Sequence, residues 1–299
     1  MYRYKDIIVG LGLDGYDDSV VDYAALVASM AQSDRVRFTH VLPSPSSLGD
    51  LYPIYRQSFE DARVEARRRI EDVVEDHFDA PDSTAVSRML LEGSPLLEIL
   101  RLASDGADLV VVCRDHDGGT IAEKLARKAP CSVLVVPPDV PPAIRRIVVP
   151  VDFSDHAADA VEVAAAFAES AGLEEVHLLH VYPIPTSYFK LDLNHDEFER
   201  QVRLHAEDRF ERFVARLDLH GLRSVRHLAG SDDVPDAIRR ETAALEADLV
   251  MVGTRGRTDT AAVLLGSVAE QLVRTADVPT VAVKRKGSTL GLLDALFHL

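Results

Sequence analysis

The sequence of 299 residues contains no tryptophan, only two cysteines and no long hydrophobic segment. Cys113 and Cys131 adjoin strand-like apolar runs and lack C-x-x-C spacing, so we expect two reduced core thiols. No stretch approaches the 18 apolar residues of a membrane span, and the charged start "MYRYKD" is unlike a secretory leader. These absences favour a cytoplasmic protein without a membrane span.

The chain also has fewer basic than acidic residues. Acidic residues outnumber basic ones, 49 against 33, and the formal net charge is −16. Nucleic acids and anionic membranes would repel such a chain on average, so we expect neither as a partner. The length and the 47% apolar content are typical of a globular protein of two domains.

A glycine pattern follows the first apolar run. Gly10, Gly12 and Gly15 match the G-x-G-x-x-G dinucleotide fingerprint. That fingerprint also needs an acidic residue at the end of the next strand, and "VRFTHVL" (36–42) ends without one. We therefore interpret the glycines as a tight strand-to-helix turn, in which positive φ favours glycine.

The chain contains an internal duplication. Residue n of a first copy aligns with residue n + 140 of a second: "FTHVLPSP" (38–45) matches "LLHVYPIP" (178–185), and "ADLVVVC" (107–113) matches "ADLVMVG" (247–253). Self-similarity at a fixed offset indicates one structural unit encoded twice.

The duplication sets the predicted domain organisation. Two domains are expected at 1–138 and 144–286, separated by the proline-rich, stiff linker "PPDVPPA" (137–143) and followed by an apolar tail at 287–299. Near-continuous apolar runs such as "RIVVPVD" (146–152) alternate with helical patterns, which is typical of parallel strands buried on both faces. Each domain is therefore predicted to be a doubly wound α/β domain with about five parallel strands and helices on both faces.

The most informative loop lies in the second copy. In "MVGTRGRTDTAAVLLGSVAEQLV" (251–273), Gly253-x-x-Gly256 follows a strand, and Gly266-Ser267 opens a helix. Glycines let backbone N–H groups approach phosphate oxygens, and a helix N-terminus adds the positive end of its dipole. We expect positive φ at Gly253 or Gly266. The alternative is that these residues form only a turn and a helix cap.

At these residues the chain resembles the universal stress protein family, whose nucleotide-binding members carry G-x2-G-x9-G-S/T. The flanking segments "VVPVDFSDHA", "LLHVYP" and "LLGSVAEQLVRTADVPTVAV" extend the resemblance over essentially the whole chain, as a tandem two-domain member. It implies an adenine nucleotide alpha hydrolase-like fold and a non-catalytic regulatory or stress-response module. The ligand would be ATP, AMP or ADP, and Mg²⁺ could enter with the nucleotide.

The resemblance also implies a nucleotide site. Asp152 would lie by the ribose or adenine, the backbone of Val181 would meet the adenine edge, and the glycines and Ser267 would hold the phosphates. The full set of residues is Pro150, Val151, Asp152, Val181, Gly253, Thr254, Gly256, Gly266, Ser267 and Val268. The segment 258–265 departs from the pattern because it has no Lys or Arg and contains Asp259.

The first copy departs further. Cys113 stands where Gly253 does, and Gly119-Thr120, the counterpart of Gly266-Ser267, follows after six steps instead of thirteen. Asp14 could replace Asp152 only with a two-residue shift. We therefore expect a degenerate first domain and one nucleotide per chain, in the second domain.

Two other functions remain open. One is a slow ATP-hydrolysing enzyme, although the chain has no H-x-G-H, S-G-G-x-D-S or G-x-x-x-x-G-K-[S/T] motif and no general base is evident near Ser267. The other is a structural regulator that binds no nucleotide. We expect no metal site, because His177 and His180 face opposite sides of one strand.

Contacts with other chains are less well defined. Each copy ends in an apolar strand, "CSVLVVP" (131–137) and "PTVAVKR" (279–285), whose exposed edge would favour aggregation. We therefore expect the two copies to pack as a pseudo-dimer through these strands. The apolar tail is expected to dock on its own or a sister subunit, and a homodimer or a protein client remains open.

Overall fold

The computed structural model describes residues 4–45, 49, 52–79, 81–114, 120–182, 184, 195–254 and 265–284. The chain divides into two compact units between Ala143 and Ile144, called unit 1 and unit 2 below. The elements of unit 1 are β1 (Asp6–Gly10), α1 (Asp17–Ala31), β2 (Arg35–Leu42), α2 (Tyr52–His77), β3 (Ala85–Glu92), α3 (Pro95–Ser104), β4 (Leu109–Cys113), α4 (Thr120–Lys128) and β5 (Ser132–Val136). Those of unit 2 are β6 (Ile147–Pro150), α5 (Asp155–Ser170), β7 (Glu175–Tyr182), α6 (His195–Val214), β8 (Arg223–Gly230), α7 (Val234–Ala244), β9 (Leu249–Gly253), α8 (Ser267–Thr275) and β10 (Thr280–Val283).

The strands of unit 1 form a parallel sheet in the order β3-β2-β1-β4-β5. The strands of unit 2 follow the same order as β8-β7-β6-β9-β10. Helices α1 and α2 pack together in unit 1, as do α3 and α4, while in unit 2 α7 packs on α8. The prediction of two doubly wound α/β domains is confirmed.

The central strands carry the core of each unit. Ile7, Ile8 and Val9 in β1, like Val148 and Val149 in β6, are fully buried. Two covered faces explain why these runs are continuously apolar instead of alternating. In both units the second and third strands lie on one side of the first strand, and the fourth and fifth strands lie on its other side. The direction in which strands are added therefore reverses between β1 and β4 and between β6 and β9. Such a reversal opens a crevice at the carboxyl ends of the strands.

Local signals in the sequence set the helix ends. Ser154 caps α5, with its Oγ accepting a hydrogen bond from the N–H of Ala157 at 3.2 Å. Gly172, just past the end of α5, has φ of +70°. In unit 1, Gly15 has φ of +100° in the turn before α1, as the turn interpretation expects, whereas Gly10 and Gly12 do not have positive φ.

Other expectations can be followed in the described residues. Neither cysteine forms a disulfide, and Cys131 is buried. Within the described part of the chain, no helix is both long and apolar enough to cross a membrane. The hydroxyl of Tyr23 donates to the carbonyl of Pro141 at 3.0 Å, which fixes the linker to unit 1. The tail at 287–299 lies outside the described residues.

Candidate functional site

The carboxyl ends of three neighbouring strands of unit 2 bring most of the predicted site residues to one edge. Pro150 ends β6, Val181 lies near the end of β7, and Gly253 ends β9. Because β6 lies between β7 and β9, these ends are adjacent. Pro150, Val151 and Val181 are buried, whereas Asp152 is half-buried.

Pro150 interrupts the pairing of β6 with β9. The backbone N–H of Val151 donates to the carbonyl of Leu179 in β7 at 2.8 Å. Since N–H groups alternate sides along a strand, the N–H of residue 150 would face β9, and proline has none. The register of β6 with β9 accordingly ends at Val148↔Val250, whereas β1 pairs with β4 as far as Gly10↔Val112. The pairing of β6 with β9 therefore ends two residues earlier than the equivalent pairing of β1 with β4.

The loop after β6 is ordered around Asp152. Its Oδ1 accepts a hydrogen bond from the N–H of Ser154 at 3.0 Å, two residues ahead. Phe153 has φ of +69°, which is uncommon for a residue with a side chain. The side chain of Asp152 is thus held beside the first turn of α5.

Gly253 is required by close packing. A Cβ atom there would lie 2.5 Å from the carbonyl oxygen of His156 and 3.1 Å from the backbone nitrogen of Ala157. The φ of Gly253 is not positive, so the glycine is needed for the approach of the α5 backbone. The first turn of α5 and the end of β9 are consequently in direct contact.

Gly266 returns the chain to the end of β9. Its N–H donates to the carbonyl of Thr254 at 2.8 Å, and the N–H of Thr254 donates to Val283 in β10 at 3.3 Å. Gly266 has φ of −62°, so the prediction of positive φ is wrong at both glycines. The reason is that Gly266 caps α8 in an extended conformation that any residue adopts. Gly256 lies outside the described residues.

The N-terminus of α8 starts directly after Gly266. Ser267 is exposed and Val268 is half-buried. The first N–H groups of a helix have no acceptor within it and carry partial positive charge. Glu270 in the first turn partly offsets that charge. This edge therefore offers backbone donors and a hydroxyl beside Thr254.

The same edge of unit 1 is built differently. Asp17, which aligns with Ala157, is 4% exposed, and its Oδ1 accepts a hydrogen bond from the N–H of Gly12 at 2.8 Å. Burial raises the pKa of the Asp17 carboxyl above its usual range. Asp14 accepts from the N–H of Tyr16 at 3.3 Å, which repeats the contact of Asp152 two positions later. A carboxylate thus occupies the start of the unit 1 crevice.

Both halves of the chain match one protein family. The model of the universal stress protein family matches residues 3–137 and again residues 143–284. The chain belongs to the universal stress protein family. Its relatives include Universal stress protein MJ0577 of Methanocaldococcus jannaschii, 26% identical over 159 residues, a match that covers 48% of this chain and 97% of that protein. Universal stress protein E homolog of Haemophilus influenzae is 28% identical over 177 residues, covering 54% of each chain.

Solved structures agree on the fold. A universal stress protein from Archaeoglobus fulgidus has a TM-score of 0.63 at 18% identity, covering 95% of this chain and 99% of that one. A functionally unknown protein from Pseudomonas aeruginosa also has a TM-score of 0.63 at 18% identity, covering 99% and 98%. At these identities the likeness shows the fold of the family member and nothing about its ligand.

Two features of the site were not anticipated. His180 contacts the loop after β6, and Phe153 packs on α6; the only sequence signal was the repeat of His40 at His180. His177 has different partners, since its Nδ1 lies 2.9 Å from Nε2 of His227. Among the described residues, no three His, Cys, Asp or Glu side chains are grouped so as to hold a metal ion.

Proposed function

We propose that unit 2 binds one adenine nucleotide, ATP or AMP, and that this universal stress protein acts as a nucleotide-responsive regulatory or stress-response module and not as an enzyme. The observation that carries the proposal is the edge formed by Asp152, Gly253, Thr254 and Gly266. There the α5 backbone packs against a glycine, and Gly266 begins α8 beside the end of β9. The G-x2-G-x9-G-S pattern, matched at full spacing, supports the same ligand.

The chemistry of the edge suits an anionic ligand with an apolar base. N–H groups at the start of α8, together with the hydroxyl of Ser267, would donate to phosphate oxygens. Pro150, Val151 and Val181 are buried at the edge of the sheet, where an adenine ring would contact apolar atoms. In unit 1, Asp17 places a carboxylate at the crevice, which disfavours a phosphate there.

The first experiment is native mass spectrometry of the purified chain, followed by calorimetric titration with ATP and AMP. We expect retained nucleotide or uptake of one per chain. Retained ADP that accumulates from added ATP would support slow hydrolysis instead. A chain that is empty and takes up neither nucleotide would contradict the proposal and favour a structural regulator.

A matched pair of variants locates the site. Ser267→Ala removes an exposed hydroxyl donor at the start of α8 and should weaken ATP about three- to tenfold, which corresponds to the net value of one typical hydrogen bond. Thr120→Ala, the equivalent change in unit 1, should leave the affinity unchanged. Equal loss from both variants, or two nucleotides per chain, would contradict binding in unit 2 alone.

A further inference from the structure

We propose that His180 is a positioning residue for the unit 2 site, which acts by holding the loop that carries Asp152. The inference rests on the proposed function. His180 is 6% exposed, and its Nδ1 lies 2.7 Å from the carbonyl oxygen of Val151. A carbonyl oxygen only accepts, so Nδ1 carries the hydrogen and donates it.

Two consecutive residues of β7 hold the Val151 backbone. The carbonyl of Leu179 accepts from the N–H of Val151 at 2.8 Å, and the side chain of His180 donates to the carbonyl of Val151. A side chain thereby continues the strand pairing one step beyond the point where β6 ends at Pro150. The backbone entering Asp152 is fixed on both its N–H and its C=O side.

The imidazole ring of His180 also contacts Phe153, the residue that follows Asp152. The ring centroids of His180 and Phe153 are 4.2 Å apart, and the guanidinium carbon of Arg209 lies 4.6 Å from the Phe153 ring. Phe153 further packs edge-on against Phe213, with centroids 5.6 Å apart. Positive φ at a residue with a side chain is strained and persists only where the surroundings hold it.

Asp152 lies between these two fixed points. Its carboxylate accepts from Ser154, and Ser154 caps α5, whose His156 carbonyl packs on Gly253. The contacts of His180 therefore orient the carboxylate and the start of α5 together.

Unit 1 provides an internal control. His40 makes the same bond, with Nδ1 at 2.9 Å from the carbonyl of Leu11. There the chain continues into Gly12, whose N–H binds Asp17, so the bond does not serve a loop like that of Asp152. Replacing His40 should affect the stability of unit 1 without affecting a nucleotide in unit 2.

The test uses the full chain and calorimetric titration with ATP. His180→Leu removes the donor and should weaken ATP about tenfold. His180→Asn keeps an N–H near the position of Nδ1 and should stay within about threefold of the wild type. His180→Gln, whose amide would lie near the position of Nε2 and not of Nδ1, replaces the Leu variant as the test of donor loss if that variant does not fold. His40→Leu should leave the affinity unchanged.

A double-mutant cycle tests whether the effect passes through Asp152. In an Asp152→Ala background, His180→Leu should cost less than threefold, because the carboxylate it positions is already gone. An unchanged affinity of His180→Leu, no recovery in His180→Asn, or an equal loss in both backgrounds would overturn this inference while leaving nucleotide binding intact. A wild-type chain that binds no ATP would refute the proposed function and, with it, a positioning role at that site.

Discussion

Unit 1 and unit 2 place five strands in the same order and share one carboxylate contact at the amino ends of the strands, called the amino edge, but their carboxyl edges differ. At the amino edge, Asp108 Oδ2 accepts from the backbone N–H of Lys5 at 2.9 Å. Asp248, 140 residues later, accepts from the N–H groups of Arg145 and Arg146 at 2.9 and 3.0 Å. In both units this carboxylate joins the start of the fourth strand to the start of the first strand, at the edge opposite the candidate site.

At the carboxyl edge the side chains differ in size and charge. In unit 1 an open cavity of about 330 Å³, lined mostly by charged side chains, lies between the loop after β1 and α2, and Leu13 and Val73 are among its lining residues. In unit 2 the aligned positions are Phe153 and Phe213, whose rings pack against each other. The contrast indicates that the scaffold tolerates change at the carboxyl edge, and that unit 2 uses bulk there to stiffen the loop of Asp152.

The largest effect is expected from Gly253→Val. Its Cβ would meet the His156 carbonyl at 2.5 Å, so the start of α5 must move away from β9. We expect a loss of stability of about 1–3 kcal/mol from overpacking and at least tenfold weaker ATP binding, measured by thermal unfolding and calorimetry. Cys113→Val, at the aligned position in unit 1, should leave ATP affinity unchanged. If Gly253→Val bound ATP as tightly as the wild type, the packing of α5 on Gly253 would not be what distinguishes the two carboxyl edges.

A smaller effect is expected from exchanging the loop residues. Phe153→Leu leaves a space beside His180 and Phe213 and should lower stability by about 1–2 kcal/mol. Leu13→Phe, the reverse change, should be close to neutral, because Leu13 lines an open cavity that leaves space for the larger ring. Hydrogen exchange of the α5 and α1 amides resolves the two units. Similar destabilisation by both substitutions would show that the cavity is not equivalent to the space filled by Phe153.

The smallest effect is expected from Asp17→Asn. Burial raises the pKa of Asp17, so the folded unit holds a proton there more tightly than the unfolded chain does. Ionisation of this carboxyl therefore costs stability above its folded pKa, and that cost is absent below the unfolded value of about 3.9. The asparagine keeps an acceptor for Gly12 and loses the charge.

For Asp17→Asn we expect a gain of about 1 kcal/mol at pH 7.5, the ordinary size of a single-substitution effect, which disappears near pH 3.5. Hydrogen exchange of the α1 amides at both pH values measures it. Aligned with Asp17 in unit 2 is Ala157, and Ala157→Ser, which introduces no charge, should show no pH-dependent difference. A pH-independent difference for Asp17→Asn would mean that burial of the charge is not what distinguishes the two edges.

The fold could be predicted from the sequence because the repeat and the continuous apolar strands can be recognised from residue types alone. The direct contacts of the site could not. Gly253 is glycine for a contact with His156, a residue almost 100 positions away, and not for its own φ. The burial of Asp17 depends equally on packing, since a carboxylate in the first turn of a helix is usually exposed to solvent.

The charges at the amino edge bear on how a duplicated chain folds. In unit 1, Asp6 forms ion pairs with Arg35 and Arg37 on β2. In unit 2 the positions aligned with Asp6 and Arg35 carry the opposite signs, as Arg146 and Glu175. If β1 paired with β7 during synthesis, Asp6 would face Glu175, and the converse exchange would set Arg146 against Arg35. Like charges in register repel, so the reversed signs disfavour an exchange of strands between the two repeats, a form of misassembly to which repeated domains are prone.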